Sequence, residues 1–164
     1  PFTQFGTQAY YQMEMNFFAH SKHLYFNQTA NIKTFNSSLP AIFNMGQPVL
    51  RTTTTLEYKM PAFKKAMILT LGTNIQYTSK FQTTYYRPDA ATFVVDANQT
   101  ESGNYFELDL YAVARVQTVD VFLKAEHINE LFVIPGFNTR YQYIAGYPIQ
   151  PYRIQFGLNW KFYN

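Results

Sequence analysis

His20, His23 and His127 are the only imidazoles in the sequence, and cysteine is absent. A metal site or an activated nucleophile would therefore have to be built around these histidines or around grouped carboxylates. His20 and His23 stand three residues apart in the polar stretch His20-Ser21-Lys22-His23. They could share a metal, but a closed zinc site takes four ligands and no carboxylate lies near them in sequence, so they read as solvated turn residues. His127 follows Glu126 directly. Adjacent strand residues point to opposite faces, so these two cannot meet at one reacting atom without a bulge, and His127 reads as a rim residue bonded to a loop. No nucleophile or pair of water-activating carboxylates is grouped with a histidine. The expectation is a chain with no catalytic residue, no metal ligand and no cofactor, hence not an enzyme.

The charged residues offer chemistry of another kind. Opposite signs recur at short spacing in Arg51, Glu57 and Lys59, in Glu107, Asp109 and Arg115, and in Asp120, Lys124 and Glu126, with Arg153 and Lys161 further on. Such sets could line a pore and orient polar solutes in a transverse field. They could equally pair across strands and hold a sheet together. Both readings stand at this level.

The stretches that carry these charges alternate with a period of two, the signature of strands. It is clearest from Tyr152 to Asn164, where Tyr152, Ile154, Phe156, Leu158, Trp160 and Phe162 are apolar and Arg153, Gln155, Gly157, Asn159 and Lys161 are polar or glycine. Similar alternation predicts strands over Gln8–Ala19, Leu24–Phe35, Val49–Met60, Ala66–Tyr77, Asn104–Val116 and Val119–Ile128. With Glu14 and Lys33 added to the eleven above, thirteen charges fall inside these strands, each on the face opposite the apolar one. Six strands carry them, so after one parity choice per strand seven placements remain as tests, about 1 in 100 by chance. The connections alternate short and long: 20–23, 61–65 and 117–118 against 36–48, 78–103 and 129–151. The 78–103 connection reads as a projecting hairpin, Phe81–Tyr86 and Thr92–Val95 about Arg87-Pro88-Asp89.

Composition agrees with a sheet in a bilayer. Aromatic residues make up 19% of the 164 residues, with 14 Tyr and 16 Phe, while charged residues make up only 14%. Tyrosines with an apolar body and a wet tip suit a membrane interface. No apolar run reaches the roughly 18–20 residues of a transmembrane helix, so crossing would require a closed sheet. A net charge of +3, with bases interleaved among acids, gives no basis for nucleic acid as a partner. The expected fold is all-β: about seven strands of a transmembrane, antiparallel, up-and-down β-barrel in the bacterial outer membrane, with short periplasmic turns and long outer loops. Counting back from a last strand that ends in the periplasm places the start of the first strand on the loop side. Pro1-Phe2-Thr3 has no charged start or apolar run of a secretory signal. Together these predict that residues 1–164 form the C-terminal portion of one larger barrel domain. The acceptor-like triplets Asn27-Gln28-Thr29, Asn36-Ser37-Ser38 and Asn98-Gln99-Thr100 are accidental in such a setting.

From Thr73 onward the chain carries Tyr86-Arg87-Pro88 leading to Phe93, Gly103-Asn104-Tyr105 opening a strand, Glu126-His127-Ile128-Asn129, Gly146-Tyr147-Pro148, and the run Phe156 to Tyr163. In these features it resembles the C-terminal region of the putative outer-membrane porins of Bacteroidetes. Residues 1–72 match only as generic barrel strands. The resemblance implies a large single-chain barrel, and it makes Gly157, Trp160 and Phe162 a terminal signal for the barrel-assembly machinery, with Tyr163-Asn164 extending past the usual final aromatic. The expected function is a porin-like barrel that passes or binds small polar solutes through a lumen lined by the eleven charges from Arg51 to Lys161. Its expected partners are outer-membrane lipid, the remaining strands of its barrel or other outer-membrane subunits, and the assembly machinery. The alternatives are a scaffold barrel in an outer-membrane complex, the last strands of a TonB-dependent transporter, and a soluble lipocalin-like barrel with the apolar face inward.

Overall fold

A computed structural model describes residues 10–35, 48–95, 101–138 and 142–162. Gln8 and Ala9 of the expected first strand, nearly all of the 36–48 connection with its Asn36 triplet, the Asn98 triplet and Tyr163-Asn164 lie outside the described residues.

The protein is all-β. Seven strands form one antiparallel sheet: β1 (Tyr10–His20), β2 (Leu24–Phe35), β3 (Leu50–Ala62), β4 (Met67–Thr78), β9 (Tyr105–Val116), β10 (Val119–Glu126) and β13 (Arg153–Trp160). Their order in the sheet is their order in the chain, so each strand pairs with the one before it. β1 and β13 are the two edges among the described residues. Six shorter strands lie in the long connections: β5 (Phe81–Gln82), β6 (Thr84–Arg87), β7 (Thr92–Val95), β8 (Glu101–Ser102), β11 (Gln142–Ile144) and β12 (Tyr147–Pro148). The expected hairpin about Arg87-Pro88-Asp89 is β6–β7.

Register puts all seven apolar stripes on one face. Cross-strand partners in an antiparallel pair share a face, and one row runs Ala19, Phe26, Leu56, Thr73, Leu110, Ala125, Ile154 from edge to edge. Each residue of this row has the parity that alternation assigned to the apolar side of its strand. A one-residue slip in any pair would have inverted every side chain beyond it. The apolar face is uncovered: Tyr11, Phe17, Leu110, Leu123, Phe156 and Leu158 are among its exposed side chains. A soluble domain buries such a face under a second layer. Here the only buried hydrophobic residues among the described ones are Phe81 and Tyr105, at the loop end of the sheet.

Strand ends differ from the expectation in three places, each for a local reason. β3 runs on through Pro61, opposite Ile68, and turns only at Phe63–Lys65, three successive residues with positive φ. β10 stops at Glu126 because His127 adopts a left-handed conformation (φ 55°, ψ 39°) and opens a 3-10 turn over Ile128–Leu131. β13 ends at Trp160, which leaves Lys161 past the strand, although its backbone N–H still donates to Thr118 O at 3.0 Å.

The long connections fold onto each other. β5 pairs with β8, β11 pairs with β12, and β11 joins β6 in parallel through Ile144 and Thr84. Gln142 N–H donates to Ser102 Oγ at 2.8 Å and Ala145 N–H to Thr84 O at 2.7 Å. Where β10 leaves the sheet, the 127–138 segment takes over the edge of β9. Leu108 N–H donates to Asn129 Oδ1 (3.0 Å), Asn129 Nδ2 donates to Tyr105 Oη (2.9 Å), and Asn138 bridges to Tyr105. These bonds satisfy backbone groups that would otherwise be orphaned.

Candidate functional site

The polar face is the candidate site. Within the seven sheet strands it holds six cations (Lys33, Arg51, Lys59, Arg115, Lys124, Arg153) and six anions (Glu14, Glu57, Glu107, Asp109, Asp120, Glu126), all on the face opposite Leu110. Of the expected lining residues only Lys161 falls outside the strands.

The opposed charges are paired. In the half of the sheet nearer the long loops, Lys124 lies 3.1 Å from Asp109 and 2.7 Å from Glu126, and Glu126 also binds Arg153 and accepts from Gln155. This network crosses β9, β10 and β13, and Gln76 extends it to β4 by donating to Glu107 at 3.2 Å. Nearer the short turns, Arg115 donates to the two carboxylate oxygens of Asp120 from Nε and Nη2, at 2.6 and 3.3 Å. On β3, Lys59 pairs with Glu57 at 2.9 Å. The cross-strand pairing reading therefore describes these groups, and each exposed pair adds at most about 1 kcal/mol.

Glu57 has a second partner that no sequence pattern indicates. Tyr111 on β9 reaches across β4 and donates its hydroxyl to Glu57 Oε1 on β3 at 2.8 Å. Gly72 is the residue of β4 between them in the same row. A Cβ there would stand 2.2 Å from Tyr111 Cζ, so only glycine lets the ring lie flat across the strand. Gly157 does the same for Phe122, whose Cζ would be 2.5 Å from an added Cβ. Gly157 thus has a packing role beside the expected one in assembly. Trp160 and Phe162 stack with ring centroids 4.6 Å apart, both exposed.

The histidines take three different settings. His23 Nδ1 lies 2.8 Å from Lys59 O and ties the first short turn to β3, while His20 sits 5.4 Å from the Phe18 ring. His127 is buried. Its backbone N–H donates to Asp109 Oδ1 at 3.0 Å, and its Nδ1 stands 3.8 Å from Glu107 Oε1. The left-handed backbone at His127, not a regular strand, brings it to Glu107 and Asp109, which simple alternation with Glu126 could not indicate. Among the described residues no group of three or more potential ligands could hold a metal ion. In the β6–β7 hairpin, away from the sheet, the Arg87 guanidinium holds the Asp89 carboxyl below its ordinary range.

A comparison with protein families matched residues 8–164 to the family described as putative porin. The chain belongs to the putative porin family. At that level it is a porin-like outer-membrane β-protein, in agreement with the resemblance carried by its second half, and the match covers the first 72 residues as well except Pro1–Thr7. No curated protein and no solved structure matched the chain.

Proposed function

We propose that this chain forms part of the wall of a water-filled barrel, with its apolar face against lipid and its polar face lining a lumen that passes or binds small polar solutes. The observation that carries this is the single uncovered apolar face, because a sheet with one such face is unstable in water and at home in hydrocarbon. Its dimensions fit. Phe106 and Val116 are ten residues apart on β9 (116 minus 106), and Val116 is joined through Val119 to Trp160. Ten residues rise about 33 Å along a strand, and at a tilt of about 40° they cover about 25 Å, the height of a bacterial lipid-facing band. Aromatic rings mark both ends, Tyr77, Phe106 and Phe137 at the loop end and Trp160 and Phe162 at the turn end. The polar-face residues from Arg51 to Arg153 are then lumen-facing, and Lys161 stands at the turn-side mouth.

The two open edges require partners, because unpaired N–H and C=O groups cost several kcal/mol each in hydrocarbon. Further strands of the same barrel are the simplest source, with the barrel-assembly machinery acting on the β13 end. The paired charges also favour a second reading, a sealed scaffold wall that conducts nothing. Planar-bilayer recording on the full-length protein separates them. Stable, salt-dependent conductance steps are expected, and an electrically silent, correctly folded protein would leave the scaffold reading.

A further inference from the structure

We infer that the lumen face of β1–β4 carries a binding patch for neutral saccharides, a proposal that rests on the barrel-wall reading and names its solute class. The charged network occupies β9, β10 and β13, with Glu57–Lys59 nearer the short turns and Glu14, Lys33 and Arg51 in the rows toward the long loops, and six cations balance six anions. A face so compensated offers little field to select an ion. Beside it lies a different surface. Two adjacent rows cross the first four strands: Asn16, Thr29, Thr53, Gln76 and Phe18, Asn27, Thr55, Asn74. Seven of these eight side chains are uncharged amides or hydroxyls.

Their hydrogen-bonding capacity is only partly used. Thr29 donates to Asn16 Oδ1 (2.7 Å) and Thr55 to Asn74 Oδ1 (2.9 Å), so the amide oxygens are engaged. Asn16 Nδ2 donates to Glu14 (3.0 Å) and Gln76 Nε2 to Glu107 (3.2 Å). Among the described residues, Asn74 Nδ2 and the side chains of Asn27 and Thr53 have no partner. Donors and acceptors held in place by neighbours, with valences left over, match the alternating hydroxyls of a sugar. The eighth residue completes the match. Phe18 is 54% exposed on the polar face, in the same row as Asn27, and packs edge-on against Tyr25 with centroids 5.1 Å apart. An exposed ring there gains nothing from water, whereas the apolar C–H face of a pyranose would cover it. Phe18 and Tyr25 also border a cavity of about 230 Å³ at the short-turn end, lined further by His20, His23 and Lys59. Four strands about 4.8 Å apart and two rows about 7 Å apart make a patch of about 14 by 7 Å, room for a short oligosaccharide.

The test uses the full-length protein and two probes of similar size, neutral maltotriose and anionic trigalacturonate. Saturation-transfer NMR in detergent reads binding directly, and planar-bilayer current reads block by the same probes. Maltotriose is expected to bind, trigalacturonate at least tenfold more weakly, and Phe18→Ala to raise the maltotriose concentration for half-saturation about tenfold. Asn27→Ala, which removes no hydrogen bond seen in the structure, should weaken binding with folding intact by heat-modified gel mobility. Maltotriose binding untouched by either variant would overturn the patch, as would no binding to a protein that conducts. Binding that is lost in Phe18→Ala, in a protein that never conducts, would uphold the patch and sink the channel.

Discussion

Tyr111, Gly72 and Glu57 act as one unit: the ring lies over the glycine and the hydroxyl ends on the carboxylate. Gly72→Ala must push the ring aside and break that bond, an overpacking cost of about 1–3 kcal/mol. In a Tyr111→Leu background the same change should cost markedly less, because a shortened side chain no longer crosses β4. Urea unfolding from lipid vesicles would measure both, and equal costs in the two backgrounds would deny the coupling. Gly157 and Phe122 allow the analogous test of the assembly signal. If Gly157 matters for packing, Phe122→Leu should restore the folded yield of Gly157→Ala. Yield that stays low would leave recognition of the glycine itself as the cause. Leu110, exposed on the apolar face, supplies the parity test. Leu110→Arg should cost about 2–4 kcal/mol if the residue lies near the midplane, against little for Asn27→Arg on the polar face. A reversed order would invert the sheet.

Strand and loop elements carry the next set of expectations. The 127–138 segment replaces β10 at the edge of β9, and Asn129 holds it with one acceptor and one donor, to Leu108 and Tyr105. Asn129→Ala would leave the buried Tyr105 hydroxyl and the Leu108 N–H without these partners, at about 1–3 kcal/mol of local stability. Amide exchange should quicken over 101–108 and 127–138 and stay slow in β2 and β3. Uniform acceleration would mean that the loops are not a separable unit. The same elements give the orientation. Protease added to intact cells should cut the β6–β7 hairpin or the β11–β12 hairpin before the turns at 20–23, 63–66 and 117–118. First cuts at the short turns would reverse the topology.

At the scale of the whole molecule, the seven-stranded sheet of the described residues depends for its stability on what meets its two faces and two edges. Closure predicts that in the membrane-embedded full-length protein the backbone of β1 is as protected from exchange as that of β2. Its outer N–H groups then have strand partners. Fast exchange confined to β1 would show an edge left open and would undo the closed-barrel proposal.

Alternation alone determined the all-β class, the extents of most strands and the side on which every sheet charge lies. Those properties are decided residue by residue, since each side chain of a strand must face either oil or water. The pattern from Arg153 to Trp160 needs no knowledge of β10 to be read. Partnership is different, because it depends on which residues from distant parts of the chain share a row. Tyr111 meets Glu57 only because register puts Gly72 between them, and Asn27 lies beside Phe18 only because β1 and β2 pair at one offset. His127 turns into a left-handed backbone and meets Glu107, a departure from periodicity that no periodic signal encodes. The 78–103 hairpin was legible from its turn residues, but the 129–151 connection looked like a loop because its strands β11 and β12 are three and two residues long, too short for a period to emerge. Their order comes instead from tertiary bonds such as Ala145 to Thr84, and only the folded sheet brings those segments within reach.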